Sequence, residues 1–250
     1  MIDRALAARV FKCIDNTTLN ATDNNLSVAS FCHHTLDLIA SGNHVAAVCV
    51  YPRFVAVARR ELAGSGIKVA SVAGAFPHGQ LPLNLKVEEV RYAVGEGADE
   101  IDVVLSRGEL LAGNDDIVRN EIAALHTACQ GRTLKVILET GELIQPELIY
   151  RAATLAMEGG ADFIKTSTGK SGSGATLEAA ETMLNAILNY VKISKKTFGF
   201  KAAGGIQTPE EAVSYAELAK KILGDNYINN QTFRIGASRL TDKLHSFLTN

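Results

Sequence analysis

Cysteine is scarce in this 250-residue chain. There are 4, at Cys13, Cys32, Cys49 and Cys129, and no two stand in a Cys-x-x-Cys spacing. That disfavours a thiolate zinc site or a dithiol redox motif and fits a reducing, cytoplasmic compartment. Excess charge of one sign is missing too. The formal net charge is −2, with no Lys/Arg run and no interleaving of basic and aromatic residues. Nothing therefore marks a nucleic-acid partner. No apolar run approaches the ~20 residues of a bilayer span. Met1-Ile2-Asp3-Arg4 lacks the apolar core of a secretory signal, so no membrane partner is expected. The one histidine pair, His33-His34, lies in a helix-like segment where neighbours face different directions, which favours a solvated role over a metal site.

What is present is an alternation. The chain is 47% hydrophobic and 21% charged, enough for one sizeable core. No linker, low-complexity tract or charge block divides it, so residues 1–250 are expected to form a single domain. Gly172-Ser173-Gly174 reads as a loop tip. A leading helix is expected over residues 3–11. Short apolar runs then read as strands at 12–14, 46–50, 68–73, 100–105, 134–138, 162–165, 197–202 and 232–235. Between them lie helical faces, such as Val87, Val90 and Val94, or Leu177, Ala180, Leu184, Ile187 and Val191. Thr208-Pro209-Glu210-Glu211 carries a helix start: a capping threonine, proline at the first position and glutamate three residues after the cap. Apolar strands alternating with helices imply a parallel sheet covered by helices. About eight repeats point to a (β/α)8 TIM barrel. The rival is an open doubly wound sheet, but its Gly-x-Gly-x-x-Gly after the first strand is absent.

In such a barrel the chemistry sits at the carboxyl ends of the strands. The residues there are Asp15 to Thr18, Cys49, Asp102, Lys135, Glu139, Lys165 and Lys201. Cys49 alone reads as a small core residue, and Lys135 and Glu139 could be an interior ion pair. Two interior lysines on adjacent strands, beside an interior aspartate, point further. A lysine attacks a carbonyl only when unprotonated, against a reference pKa of ~10.4. Two ammoniums ~4 Å apart repel by ~4 kcal/mol at an effective dielectric of ~20, worth ~3 pKa units. Burial acts in the same direction, and Asp102 and Asp15 oppose it. Gly169-Lys170, Gly204-Gly205 and Gly236-Ala237-Ser238 follow the last three strands, where this fold commonly holds phosphate. A nucleotide P-loop at Gly169-Lys170-Ser171 is excluded because Ile164 stands where its first glycine belongs.

With these residues in view the chain resembles the 2-deoxyribose-5-phosphate aldolase family over nearly its whole length. The resemblance is carried by Asp15-Asn16-Thr17-Thr18-Leu19, Ala47-Val48-Cys49-Val50, Phe76-Pro77-His78-Gly79, Asp99-Glu100-Ile101-Asp102, Lys135-Val136-Ile137-Leu138-Glu139-Thr140, Phe163-Ile164-Lys165-Thr166-Ser167-Thr168-Gly169, Lys201-Ala202-Ala203-Gly204-Gly205-Ile206 and Gly236-Ala237-Ser238. It implies a cofactor-free class I aldolase that reversibly cleaves 2-deoxy-D-ribose 5-phosphate to glyceraldehyde 3-phosphate and acetaldehyde. It implies Lys165 as the Schiff-base lysine, Lys201 as the second active-site lysine and Asp102 as the acid/base carboxylate. Asp15, Thr18, Cys49, Lys135 and Thr168 become pocket residues. Gly169, Lys170, Gly204, Gly205, Gly236 and Ser238 become the phosphate cradle. Its partners would be the sugar phosphate and small aldehydes, and a homodimer is the expected assembly. The sequence departs from the family's usual pattern at Ser171-Gly172-Ser173-Gly174 and at Arg239, where close relatives have a second serine; some relatives end in a terminal tyrosine, where the given sequence reads Leu248-Thr249-Asn250. Two other readings stand beside it: another Schiff-base barrel enzyme with a different donor, and a sugar-phosphate binder without catalysis.

Overall fold

A computed structural model describes residues 2–39 and 44–249. Eight strands alternate with helices: β1 Ile14–Thr17, β2 Ala47–Val50, β3 Lys68–Ala73, β4 Glu100–Val104, β5 Thr133–Ile137, β6 Phe163–Lys165, β7 Gly199–Ala203 and β8 Phe233–Ala237. Each pairs in parallel with the next, and β8 pairs back onto β1, closing the barrel. The (β/α)8 reading holds, and the open doubly wound rival does not.

The end strands lie later than their apolar runs suggest. β1 runs through Asp15, Asn16 and Thr17, which pair with Ala47 to Cys49 on β2. Asp15 and Asn16 are polar yet buried because partners await them, while Thr17 is half-buried. Asn16 donates from Nδ2 to Thr35 Oγ1 (2.9 Å) and accepts from Thr241 Oγ1 (2.9 Å), both on surrounding helices. β8 likewise continues past Ile235 to Ala237.

The helix ends follow local chemistry. Asp3 caps helix Arg4–Phe11 by accepting from the amides of Ala5 and Leu6. Thr208 and Glu211 form the expected reciprocal capping box at the start of helix Pro209–Leu223. His33 and His34, exposed on helix Asn25–Ile39, pair separately with Glu61 and Asp242.

The period of two along each strand divides the molecule into two interiors. Outward residues such as Val48, Val69, Ile101, Val103, Val136, Ile164 and Phe200 pack under the helices in one large apolar core. On the inward face an apolar patch of Leu19, Ala47, Cys49, Ala70 and Val72 covers only the β2–β3 side. From β4 round to β8 and β1 the inward face carries the buried charges, with Val104, Ile137 and Phe163 interspersed among them. Among the described residues no helix is long and apolar enough to cross a membrane.

Candidate active site

The charged interior is assembled by alternation. Glu100 and Asp102 are two apart on β4, so both face the axis; Lys135, Lys165, Lys201 and Arg234 join them from β5 to β8, and Asp15 from β1. The register makes Lys165 and Lys201 direct neighbours across β6 and β7. Asp102 receives three lysines. Its Oδ2 lies 2.8 Å from Lys165 Nζ and 2.7 Å from Lys201 Nζ, and its Oδ1 lies 3.0 Å from Lys135 Nζ. Asp15 takes Lys201 at 2.5 Å, Lys135 at 3.0 Å and Arg234 at 2.5 Å. Glu100 takes Lys135 at 2.6 Å and Arg234 at 2.7 Å. Lys68 reaches Glu100 at 3.0 Å with a half-exposed side chain. Lys135 thus pairs with these three carboxylates, not with Glu139 as the sequence allows.

The groups respond in opposite directions. Burial lowers the Lys165 pKa below the ordinary lysine value; Asp102 pulls it back up, and Lys201 pushes it down again. Burial acts equally on Lys201, but Asp102 and Asp15 together raise its pKa above the usual value. The difference is a matter of partners, since Lys165 has one carboxylate and Lys201 has two. Lys135, with three, is held firmly charged. Burial would raise Asp102, yet Lys135, Lys165 and Lys201 hold it below the usual carboxylate range. Burial, assisted by Asp102, lifts the Cys49 thiol to about 11, so Cys49 stays a thiol at neutral pH.

A cavity of about 320 Å³ opens above this cluster. Lys165 lies on its floor. Its wall carries Thr168, Gly169, Lys170, Gly204, Gly205, Gly236 and Ser238, all seven read from the sequence as pocket or phosphate residues, together with Arg239. No acidic side chain lines it, so its charged lining is entirely cationic. Gly169, Gly204 and Gly205 have φ of 73°, 93° and 82°, the left-handed region that glycine tolerates. Their backbones therefore turn sharply against the cavity. Lys170 Nζ donates to the carbonyl of Leu19 at 2.5 Å and so ties two walls together. Gly174 is more than part of a loop tip: a Cβ there would fall 2.3 Å from the Gly204 oxygen. Asp15, Cys49, Asp102, Lys135 and Lys201 lie below the floor. Thr17 lines the cavity, whereas Thr18 donates to Asp23 Oδ2 at 2.8 Å.

Two residues of the cluster are not among the sequence candidates: Arg234, whose spacing two before Gly236 places it inward, and Glu100, two before Asp102. For Glu139 the sequence shows the residue but not its partner. Glu139, fully buried at φ 57°, accepts the amide of Thr168 at 3.2 Å with Arg107 Nη1 3.9 Å away, and so braces the cavity turn from behind.

Several known proteins are similar to this chain in sequence and fold. A Caenorhabditis elegans protein named "Putative deoxyribose-phosphate aldolase" is 44% identical over 238 residues, covering 94% of this chain and 78% of its own. Among solved structures, QR15, described as an aldolase, is 31% identical with a TM-score of 0.80, covering 100% of this chain and 97% of its own. The deoxyribose phosphate aldolase of Aeropyrum pernix, described as a unique tetramer, is 27% identical with a TM-score of 0.75, covering 98% and 91%. The model of the DeoC/LacD family aldolases matches residues 9–240. With a match of that extent around an interior lysine cluster, the chain belongs to the DeoC/LacD aldolase family.

Proposed function

We propose that this aldolase reversibly cleaves 2-deoxy-D-ribose 5-phosphate to D-glyceraldehyde 3-phosphate and acetaldehyde, with residues 1–250 acting as one domain. The observation that carries the reading is Lys165: a buried amine of lowered pKa, on the floor of a cavity whose other charged lining residues are Lys170 and Arg239, with a single carboxylate contact shared with a second lysine.

Neutral Lys165 attacks the open-chain aldehyde and the carbinolamine loses water to give a protonated imine. The bond between the second and third carbons breaks, its electron pair moving toward the imine nitrogen while the third carbon's hydroxyl proton leaves, by way of a water, toward Asp102. Glyceraldehyde 3-phosphate departs. The enamine takes a proton and is hydrolysed, releasing acetaldehyde and the amine. Asp102 Oδ2, shared by Lys165 and Lys201, gives a proton a route between the two amines. Asp15 and Lys135 hold that pair in place. Cys49, and the turn bearing Thr18, flank the reacting end. The amides at Gly169, Gly204, Gly205, Gly236 and Ser238, with Lys170, meet the phosphate. The distant phosphate orients the reacting end, so its loss lowers turnover as well as affinity.

The four cysteines are free and buried, which supports a cytoplasmic setting. A homodimer is part of the same reading, and sedimentation tests it against the tetramer of the Aeropyrum relative. The deciding experiment is borohydride reduction in the presence of acetaldehyde, followed by peptide mapping. A two-carbon label at Lys165 is expected. A label on another lysine, or dihydroxyacetone transfer in place of acetaldehyde release, would reject the assignment.

A further inference from the structure

Arg234 and Glu100 lie beneath the reacting lysine, and neither lines the cavity. Arg234 is fixed on every side. Its Nη1 donates to Asp15 Oδ1 (2.5 Å) and Glu100 Oε2 (3.0 Å), and its Nη2 to Glu100 Oε1 (2.7 Å). Its Nε donates to the Asn230 carbonyl at 2.6 Å, and its guanidinium carbon sits 5.6 Å from the centre of the Phe163 ring. Two chains of ion pairs lead upward. One runs from Glu100 through Lys135 to Asp102 and Lys165. The other runs from Arg234 through Asp15 and Lys201 to Asp102 and Lys165.

Every strand sends a titratable group toward this interior: Asp15 from β1, Cys49 from β2, Lys68 from β3, Glu100 and Asp102 from β4, Lys135 from β5, Lys165 from β6, Lys201 from β7 and Arg234 from β8. Cys49 is an uncharged thiol, and the half-exposed Lys68 reaches Glu100 at 3.0 Å from the solvent side and is not one of the buried charges. The buried charges are then three carboxylates against Lys135, Lys201 and Arg234, provided Lys165 is neutral. Protonating Lys165 would add a fourth buried cation with no carboxylate of its own, an unfavourable state in a water-poor interior.

We propose that Arg234 and Glu100 are positioning residues that set the charge state of Lys165 from below: Arg234 supplies the fixed cation that completes the balance, and Glu100 the fixed anion that limits it. The inference rests on Lys165 being the nucleophile. Neither residue lines the cavity, and their roles oppose each other in sign. A merely structural ion pair would instead lose stability and activity alike from either side.

The test is the pH profile of kcat/KM for acetaldehyde release in Arg234→Met, Arg234→Lys and Glu100→Gln, with circular dichroism to check the fold. Removing the cation leaves three carboxylates facing two buried cations, so Lys165 holds its proton more tightly. Arg234→Met should move the acid limb up by about one pH unit, a tenfold loss at a fixed pH on that limb. Glu100→Gln should move it down by a similar amount, and Arg234→Lys should stay near the native profile. Shifts in the same direction, or a uniform loss with the limb unmoved, overturn the inference. If Arg234→Met does not fold, the downward shift in Glu100→Gln decides alone, and its absence overturns the inference. Borohydride trapping on the native enzyme separates the two levels. A native label elsewhere than Lys165 rejects the nucleophile and this inference together, whereas a native label at Lys165 with static limbs rejects only this inference.

Discussion

Lys165 and Lys201 are register partners on adjacent parallel strands, and both amines approach the same oxygen, Oδ2 of Asp102, at 2.8 and 2.7 Å. Lys201 has a second carboxylate in Asp15 and Lys165 does not. Burial lowers the pKa of Lys165, and its one shared carboxylate does not make up the loss, whereas Asp102 and Asp15 together keep Lys201 charged. Lys201→Leu removes a repelling charge and also leaves Asp102 more available to Lys165. Both effects raise the Lys165 pKa, although its burial is unchanged. The acid limb of activity should move upward by about one to two pH units, with slower imine formation at neutral pH. Stopped-flow imine formation against pH checks this, and a limb that stays in place would reject the role given to Lys201.

Gly236 was read as part of a phosphate cradle, and the structure gives it a further reason to be glycine. A Cβ there would come within 2.9 Å of Lys201 Cε and 3.0 Å of Ala203 Cβ. Gly236→Ala therefore makes Lys201, β7 or β8 shift to give room, disturbing the Lys201 amine beside Asp102. Displacing a reactive cluster by about 1 Å can cost about 10²-fold, so kcat should fall on that order. KM for the phosphosugar should change less. A rise in KM with unchanged kcat would show that Gly236 serves the phosphate alone.

Much of this site was legible because buried parallel strands read as apolar runs and a charge within one stands out. Lys165 and Lys201 interrupt such runs, and so they were found. Arg234 interrupts one as well, but it lies before the strand's carboxyl end, where chemistry is not sought. The limits of β1 were hidden because Asp15, Asn16 and Thr17 look like loop. Asn16 is held in the strand by its pairing with Val48 and Ala237, and the Thr35 and Thr241 hydroxyls, remote in sequence, satisfy its buried amide. Glu139 was visible, but its partner was not. Its left-handed backbone turns the carboxylate toward Thr168, and nothing in the local sequence announces that turn.

Glu139 should act on the phosphate end of the site and not on the amine end. Its carboxylate accepts the Thr168 amide, and Thr168 Oγ1 in turn accepts the Lys170 amide at 3.1 Å. Glu139→Gln replaces a charged acceptor with a weaker neutral one, a loss of about 1 kcal/mol of loop order. KM for glyceraldehyde 3-phosphate in the synthetic direction should rise about fivefold. Addition of acetaldehyde to unphosphorylated glyceraldehyde should be unaffected. Equal loss with both acceptors would place Glu139 in general stability.

The same carboxylates make the fold acid-sensitive. Glu100 falls from 4.5 as a free side chain to about 2 in the barrel: burial would raise it, but Lys135 and Arg234 outweigh burial. Asp15 lies well below its usual 3.8, since Lys135, Lys201 and Arg234 outweigh its burial. A carboxylate depressed on folding contributes stability above its unfolded pKa, and that contribution disappears as pH falls through the folded value. Stability should therefore be flat near neutrality, begin to fall below about pH 4.5 and keep falling toward pH 2. Urea unfolding at pH 7, 4 and 2.5 measures this directly. Glu100→Gln should start from a lower plateau, because Lys135 and Arg234 lose a buried anionic partner, and should show a shallower fall in acid. An acid slope identical to the native one would mean that Glu100 is not the group whose protonation opens the barrel.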